Sequence, residues 1–350
     1  MTGDDQMTPL ERAAAFREGK GVDRIQCVSH LGEHAAFLTG VPVYEYLHSS
    51  RLMAEAQARA YEVYGQDGVS LGPDLFGLAE ALGVELLYSE SERPQPARPV
   101  IGKPEEGFSL EPANPEKDGR LPLYLEALEI LRDRIGGKVP IGTGISGPLT
   151  TAALLRGPEE FMMDLTAAPE FVHGLMEFAV ENILLYMRAA RRRGFSCSMG
   201  DPMAAADLIG RDLFRTFVKP CLKTISDEVR AETGSGPSLH ICGDTLPILE
   251  DIAEAGIKSF KVDERVDLLE ARKQVGHVLG LAGNVSPVRV LLRGTPLDVM
   301  AAARECIRQA HDSPKGFVLS AGCSVPVETP PENIRAMMQA ARTYGTFTGR

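Results

Sequence analysis

The chain has 350 residues, of which 44% are hydrophobic and 24% charged, with a formal net charge of −11. That balance belongs to a soluble globular protein with a packed core, and dispersed acidic residues argue against a nucleic-acid groove, which needs a concentrated basic face. No apolar run reaches the roughly eighteen residues of a membrane span. Met1 to Arg17 is too polar for a secretory signal, so a cytoplasmic protein is expected. Thr8, Pro9 and Glu11 form a capping-box start that predicts a helix over residues 9–18, closed by Gly19 and Gly21. Residues 1–22 are accordingly read as an N-terminal helical extension. Short β-prone segments then alternate with longer stretches of helical period. The expected strands are Arg24 to Ser29, Gly68 to Leu71, Val139 to Thr143, Phe195 to Met199, Ser238 to Cys242, Ser259 to Asp263, Val278 to Ala282 and Phe317 to Ala321. Helices are expected at Arg211 to Glu232, split near Pro220, and at Leu246 to Ala255, Leu268 to Val275 and Leu297 to His311.

Strands that are each followed by a helix predict one α/β domain over residues 1–350, a (β/α)8 TIM barrel. A doubly wound open sheet is the alternative, since sequence does not prove closure. The segment Glu92 to Arg120, rich in Pro, Glu and Gly, reads as an insertion, a hairpin or an excursion covering the barrel mouth. Arg191 to Arg193 follow a long helical stretch and are explained by a helix C-terminus.

The strongest chemical signal is Ser238-Leu239-His240-Ile241-Cys242-Gly243-Asp244. Residues i and i+2 of a strand share a face, so His240 and Cys242 both project inward at its C-terminal end. Cys323, just past the last expected strand, falls on the same face of the barrel. One imidazole and two thiolates make a catalytic zinc site with three protein ligands and an open fourth position. The competing account is two buried free cysteines and a hydrogen-bonded core histidine. Six cysteines without close pairing do not frame a disulfide scaffold.

His240-x-Cys242 with Cys323 some eighty residues on, together with Gly200-Asp201-Pro202, Gly283-Asn284-Val285 and Ser320-Ala321-Gly322-Cys323, resembles the uroporphyrinogen decarboxylase superfamily, and within it the methylcobamide:coenzyme M methyltransferases. The resemblance spans nearly the whole chain and implies a (β/α)8 barrel. The arginine-rich early motif of true decarboxylases is missing; the segment reads Cys27-Val28-Ser29-His30-Leu31-Gly32, which argues against porphyrinogen decarboxylation. The resemblance implies a zinc-dependent enzyme that moves a methyl group from a methylated corrinoid protein to a thiol such as coenzyme M. Zinc fits that task, because a free thiol with a pKa of about 8.5 is mostly protonated at neutral pH and coordination deprotonates it. The chain length leaves no room for a corrinoid domain beside a complete barrel, so the methylcorrinoid is expected on a partner protein. A homodimer is compatible with this reading; nucleic acid and membrane partners are not expected.

Other candidates sit at expected strand ends, where barrels build their sites. Asp74 lies where the resemblance places the decarboxylases' functional Asp. Asp201, Asp263, Glu264 and Asn284 end the fourth, sixth and seventh strands, and each could instead cap a helix or close a turn. Asp263 or Glu264 is the expected resting fourth ligand. His30 and His34 stand at i, i+4 spacing without a third ligand and read as polar or pocket-lining histidines, and Met162, Met163, Met176, Met187 and Met199 as core filling. Gly142 to Pro148 reads as a tight turn rather than a phosphate loop. No residue reads as a sulfonate seat. Two other functions share these features: a methyl-donor:corrinoid protein methyltransferase acting on methanol, a methylamine or an aryl methyl ether, and a non-enzymatic zinc or corrinoid-binding module.

Overall fold

Eight parallel strands form one curled sheet in the spatial order β1-β10-β9-β8-β7-β6-β5-β2. They are β1 (Gln26–Cys27), β2 (Val69–Ser70), β5 (Ile141–Ser146), β6 (Ser196–Gly200), β7 (Ser238–His240), β8 (Ser259–Lys261), β9 (Gly280–Val285) and β10 (Phe317–Ala321); β3 (Glu85–Leu87) and β4 (Gln95–Arg98) form a separate antiparallel hairpin. This computed structural model describes residues 5–106 and 109–347. Residues 1–4 of the expected extension and 107–108 of the expected insertion lie outside the described residues. Among the described residues no helix is long and apolar enough to cross a membrane.

Each of the eight expected strands is present, the last, Phe317–Ala321, with the expected ends and the others with shifted ones. The third, Ile141–Ser146, absorbs most of what read as a turn at Gly142 to Pro148: Gly142 and Gly144 are strand residues, and the next helix begins at Pro148. The fifth stops at His240, so Cys242 stands on the loop beyond it. The helix expected from Arg211 is interrupted not at Pro220 but by a wider π-type turn at Phe214–Val218, and Pro220 occupies the first turn of Lys219–Thr233, where its missing N–H costs nothing. Met163 is exposed rather than core. The capping box at Thr8 and Glu11 forms as expected.

Side chains close the barrel between β1 and β2. The Asp67 N–H donates to the Cys27 carbonyl at 3.0 Å, and the Cys27 N–H donates to the Asp67 carboxylate at 2.8 Å. One residue along, the Ser29 N–H donates to Gln66 Oε1 at 2.7 Å. These bonds replace a strand ladder and explain why β1 is shorter than its apolar run. Asp67 is fully buried and is held by Arg12 and Arg24, each at 2.6 Å. Arg12 also grips Asp23, and Arg24 grips Asp5. The N-terminal helix thus pins the seam.

The pleat separates two kinds of residue. Outward-facing Met199, Leu239, Phe260, Leu281 and Leu319 are buried against the helices. The inward layers are small: Gly144, Ser198, Ser238, Ser259 and Gly280 are register partners in one, and Ser146, Gly200, His240, Lys261, Ala282 and Val318 in the next. A barrel filled by branched residues has a solid centre. Here the inward residues line a cavity of about 2350 Å³ that runs from the N-terminal helix to the mouth.

The β3–β4 hairpin begins at Glu85, earlier than the expected boundary at Glu92, and lies beside the mouth. Arg93 ties its turn inward, donating to Glu33 at 2.8 Å and to the Val325 carbonyl at 3.1 Å. At the far end of the insertion Arg120 pairs with Asp74 and Glu80, both at 2.7 Å.

Replacing Asp67 by Ala removes the carboxylate from between two buried guanidinium groups, and a broken buried pair costs about 3–5 kcal/mol. Chemical denaturation of Asp67→Ala should show a loss of that size. A loss below about 1 kcal/mol would mean that the seam is held by something else.

Candidate metal centre and active site

His240, the last residue of β7, points into the barrel with Lys261 of β8 as its register partner. Its Nδ1 lies 2.9 Å from the Lys261 carbonyl oxygen. A carbonyl only accepts, so Nδ1 carries the proton and Nε2 keeps its lone pair. Nε2 faces Cys242 Sγ at 3.4 Å, and Cys242 Sγ faces Cys323 Sγ at 3.7 Å. The three ligand atoms lie within 4.8 Å of one another, all half-buried, and no disulfide links the thiols.

Each cysteine has a glycine beside it for a different reason. Gly243 has φ +79°, which turns the chain directly after Cys242. Gly322 lets the Cys323 loop approach the neighbouring strand end: a Cβ there would lie 2.7 Å from the Glu264 amide nitrogen. A hydrogen bond to Cys242, outweighing burial, holds Cys323 toward thiolate, and that same bond together with burial holds Cys242 protonated in the metal-free protein.

The donor set suits zinc. Usual Zn–S and Zn–N bond lengths give a tetrahedron with ligand–ligand edges of roughly 3.5–3.8 Å, close to the two spacings above. Two thiolates and a neutral imidazole balance a divalent charge, and the bond from His240 Nδ1 is the outer contact that orients a metal-binding imidazole. His240, Cys242 and Cys323 all border the central cavity.

The remaining candidates separate. Asp263 and Glu264 line a cleft of about 290 Å³ on the other side of Cys242, with Asp207 and Arg265, but neither joins the three-ligand group. Asp263 Oδ1 accepts from the Arg265 N–H at 2.9 Å. Asp74 borders the cavity, and its carboxylate is taken up by Arg120, the Tyr124 hydroxyl and the Phe76 N–H. Asn284 braces the end of β8 by donating to the Asp263 and Val266 carbonyls at 3.0 and 2.9 Å. Asp201 is fully buried and accepts from the Leu149 and Thr150 N–H groups and the Thr150 hydroxyl, capping the helix Pro148–Arg156. Burial pushes its pKa up to about 6, against the pull of those bonds.

His30 and His34 diverge despite their spacing, because the helix begins only at His34. His34 is bonded to the Val327 carbonyl and the Tyr64 hydroxyl. His30 borders the cavity, where burial and the charges of Lys261 and Arg93 push its pKa down to about 4. Lys261 and Arg93 escaped the sequence reading: neither belongs to a spaced motif, and only the register of β7 and β8 shows that Lys261 points at the site. Its signal was a lysine at i+2 from Ser259 on an inward face.

The Asp201 shift yields a pH prediction. Its folded pKa exceeds the ordinary carboxylate value of about 3.9, so between about pH 4 and 6 the folded state binds more protons and this group's contribution to stability falls as pH rises. Denaturation midpoints measured across that window should lose this component of slope in Asp201→Asn. An unchanged slope would show that Asp201 titrates normally.

The sequence signature of the uroporphyrinogen decarboxylase family (URO-D) matches residues 8–344. The methylated-thiol–coenzyme M methyltransferase of Methanosarcina mazei is 30% identical over 342 residues, covering 96% of this chain and 90% of that protein. The methylcobamide:CoM methyltransferase MtaA of Methanosarcina barkeri is 31% identical over 346 residues, with 97% and 99% covered. A uroporphyrinogen decarboxylase of Synechococcus is 26% identical over 298 residues, with 83% and 82% covered. The solved structure of a methyltransferase from Methanosarcina mazei superposes with a TM-score of 0.86 at 30% identity, covering 96% of this chain and 98% of that one. With its barrel, its inward His-Cys-Cys cluster and these relatives, the chain belongs to the uroporphyrinogen decarboxylase family and is a methyltransferase within it.

Proposed function

We propose that the protein moves a methyl group from a methylated corrinoid, presented by a partner corrinoid protein, to a small thiol in the manner of the methyltransferases that use coenzyme M, with zinc held by His240, Cys242 and Cys323. The observation that carries the reading is the cluster itself, three ligand atoms within 4.8 Å with two of their spacings close to tetrahedral edges, no fourth protein ligand among the described residues, and a large cavity beside them. A structural zinc site is closed by four protein ligands, whereas a catalytic one keeps a position free. Zinc bound there would supply acidity to a coordinated thiol, so that the nucleophilic thiolate exists at neutral pH.

The chain's own groups do the rest. Lys261 O holds the His240 proton on Nδ1 and so commits Nε2 to the metal side. Gly200, Pro202 and Ser324 keep the walls low around the cysteines. The cavity of about 2350 Å³ reaches the cluster, the space that a methyl donor carried on another protein would need. Asp263 and Glu264 line the cleft on the other side of Cys242 and stay outside the three-ligand group, so either would have to move to serve as a resting ligand that the substrate thiol displaces.

Purified protein should carry about one zinc per chain, and Cys242→Ala and Cys323→Ala should each lose most of it, because two remaining ligands make an incomplete site. Metal analysis of the folded variants checks this; full retention in both would remove the ligand assignment.

Activity follows in the visible spectrum of methylcobalamin on adding a thiol, faster with a methylated corrinoid protein as donor. A substrate thiol that binds as thiolate must release about one proton below its own pKa. Calorimetry in two buffers of different ionisation enthalpy should show that proton with zinc-loaded protein and not after chelation. Near-zero release in both preparations is incompatible with thiolate binding.

A further inference from the structure

The upper inward layer of the barrel is made of Ser146, Gly200, His240, Lys261, Ala282 and Val318. Lys261 is the one charged residue of that layer, between His240 and Ala282 in register. Its ammonium has no hydrogen bond or ion pair among the described residues. The other cations at the mouth are engaged: Arg93 with Glu33, and Arg120 with Asp74 and Glu80. His30, the remaining basic group facing Lys261, is neutral at pH 7, with its pKa held at about 4.

A charge that is set inside a protein is ordinarily paired, because removing it from water is costly. Lys261 stands in the cavity, adjacent in register to His240, with Cys323, Cys242 and Asp263 near enough to act on it electrostatically when ionised and none of them bonded to it. A small molecule whose sulfur sits at the cysteines has its other end within the same hollow space. The group that completes the lysine is an anion.

We propose that Lys261 is the seat for an acidic group, sulfonate or carboxylate, on the acceptor thiol, and that it makes the enzyme select acidic thiols over neutral ones. The assignment rests on the thiol-acceptor reading above. Its chemistry is a charge-assisted hydrogen bond from ammonium to an oxyanion, made in a cavity where water competes less than at a surface. Two other roles for the same charge are distinguishable: neutralising the metal-bound thiolates, or holding the phosphate of the corrin's nucleotide loop.

Ethanesulfonate, which has the acid and lacks the thiol, tests the seat without turnover. Titration calorimetry with zinc-loaded protein should show binding that weakens about tenfold or more in Lys261→Met and is largely retained in Lys261→Arg. Mercaptoethanesulfonate and mercaptoethanol, compared with methylcobalamin as donor, should differ in KM for the wild type, and the difference should collapse in Lys261→Met with the KM for methylcobalamin unmoved. No binding of ethanesulfonate to the wild type, equal binding to Lys261→Met, or equal loss in Lys261→Arg overturns the proposal. So does a Lys261→Met variant that loses zinc while keeping its thiol preference, which assigns the charge to the thiolates, or one whose KM shifts for methylcobalamin alone, which assigns it to the corrin. Wild-type protein that transfers methyl to no thiol at all instead defeats the thiol-acceptor reading, and the ethanesulfonate titration still reports on the seat.

Discussion

The imidazole of His240 has two nitrogens, and the backbone of the next strand decides which one is available. The bond from Nδ1 to the Lys261 carbonyl exists because β7 and β8 run parallel with His240 opposite Lys261. Side chains alternate faces along a strand, so a slip of one residue would turn His240 toward the helices and bring Leu239 into the cavity. What prevents the slip is the opposite face: Leu239, Phe260 and Leu281 are each buried beneath the helical layer, and any shift exposes them or drives them into the cavity. The position of His240 in the His-Cys-Cys cluster is therefore set by apolar packing on the opposite side of the sheet.

That division of labour lets the barrel be hollow. Burial of apolar area stabilises by about 25 cal/mol per Å², and here the area is found between sheet and helices rather than along the barrel axis. Ser, Gly and Ala line the axis because bulk there would fill the substrate space. A hollow barrel gains little from its own centre, and closure needs other means. The buried carboxylate of Asp67, which bonds the Cys27 backbone and is gripped by Arg12 and Arg24, supplies one. The N-terminal helix is thus part of the closure rather than an appendage to it.

Much of this was legible in the chain. Every barrel strand was found from short apolar runs ending in Gly, Pro, Asp or Ser, and the clustering of His240, Cys242 and Cys323 from a spacing of two with Cys323 at the end of the last strand. Local pattern failed where long-range contacts decide. Gly144 read as part of a turn after the third strand, yet it is a strand residue whose small size suits the cavity wall. Asp201 and Asn284 read as strand-end candidates that could act in the site or cap a helix or close a turn; Asp201 meets a helix N-terminus and Asn284 two carbonyls, contacts that no local pattern shows. Asp67 carried no signal at all, since nothing local distinguishes a seam carboxylate from a solvated one.

The same contrast bears on what the site can accept. Asp74 and Glu33 border the cavity, and each is already matched by an arginine from the insertion, Arg120 and Arg93. Had those arginines been free, the mouth would attract anions in general; had the carboxylates been free, it would repel them. With both sets matched, the field inside the barrel is governed by the groups nearest the cysteines. Zinc held by two thiolates and a neutral imidazole, as proposed above, would be formally neutral, and a substrate thiolate would make the complex anionic. On the proposed reading, a further negative charge on the acceptor is met by Lys261, the unpaired cation of this layer among the described residues.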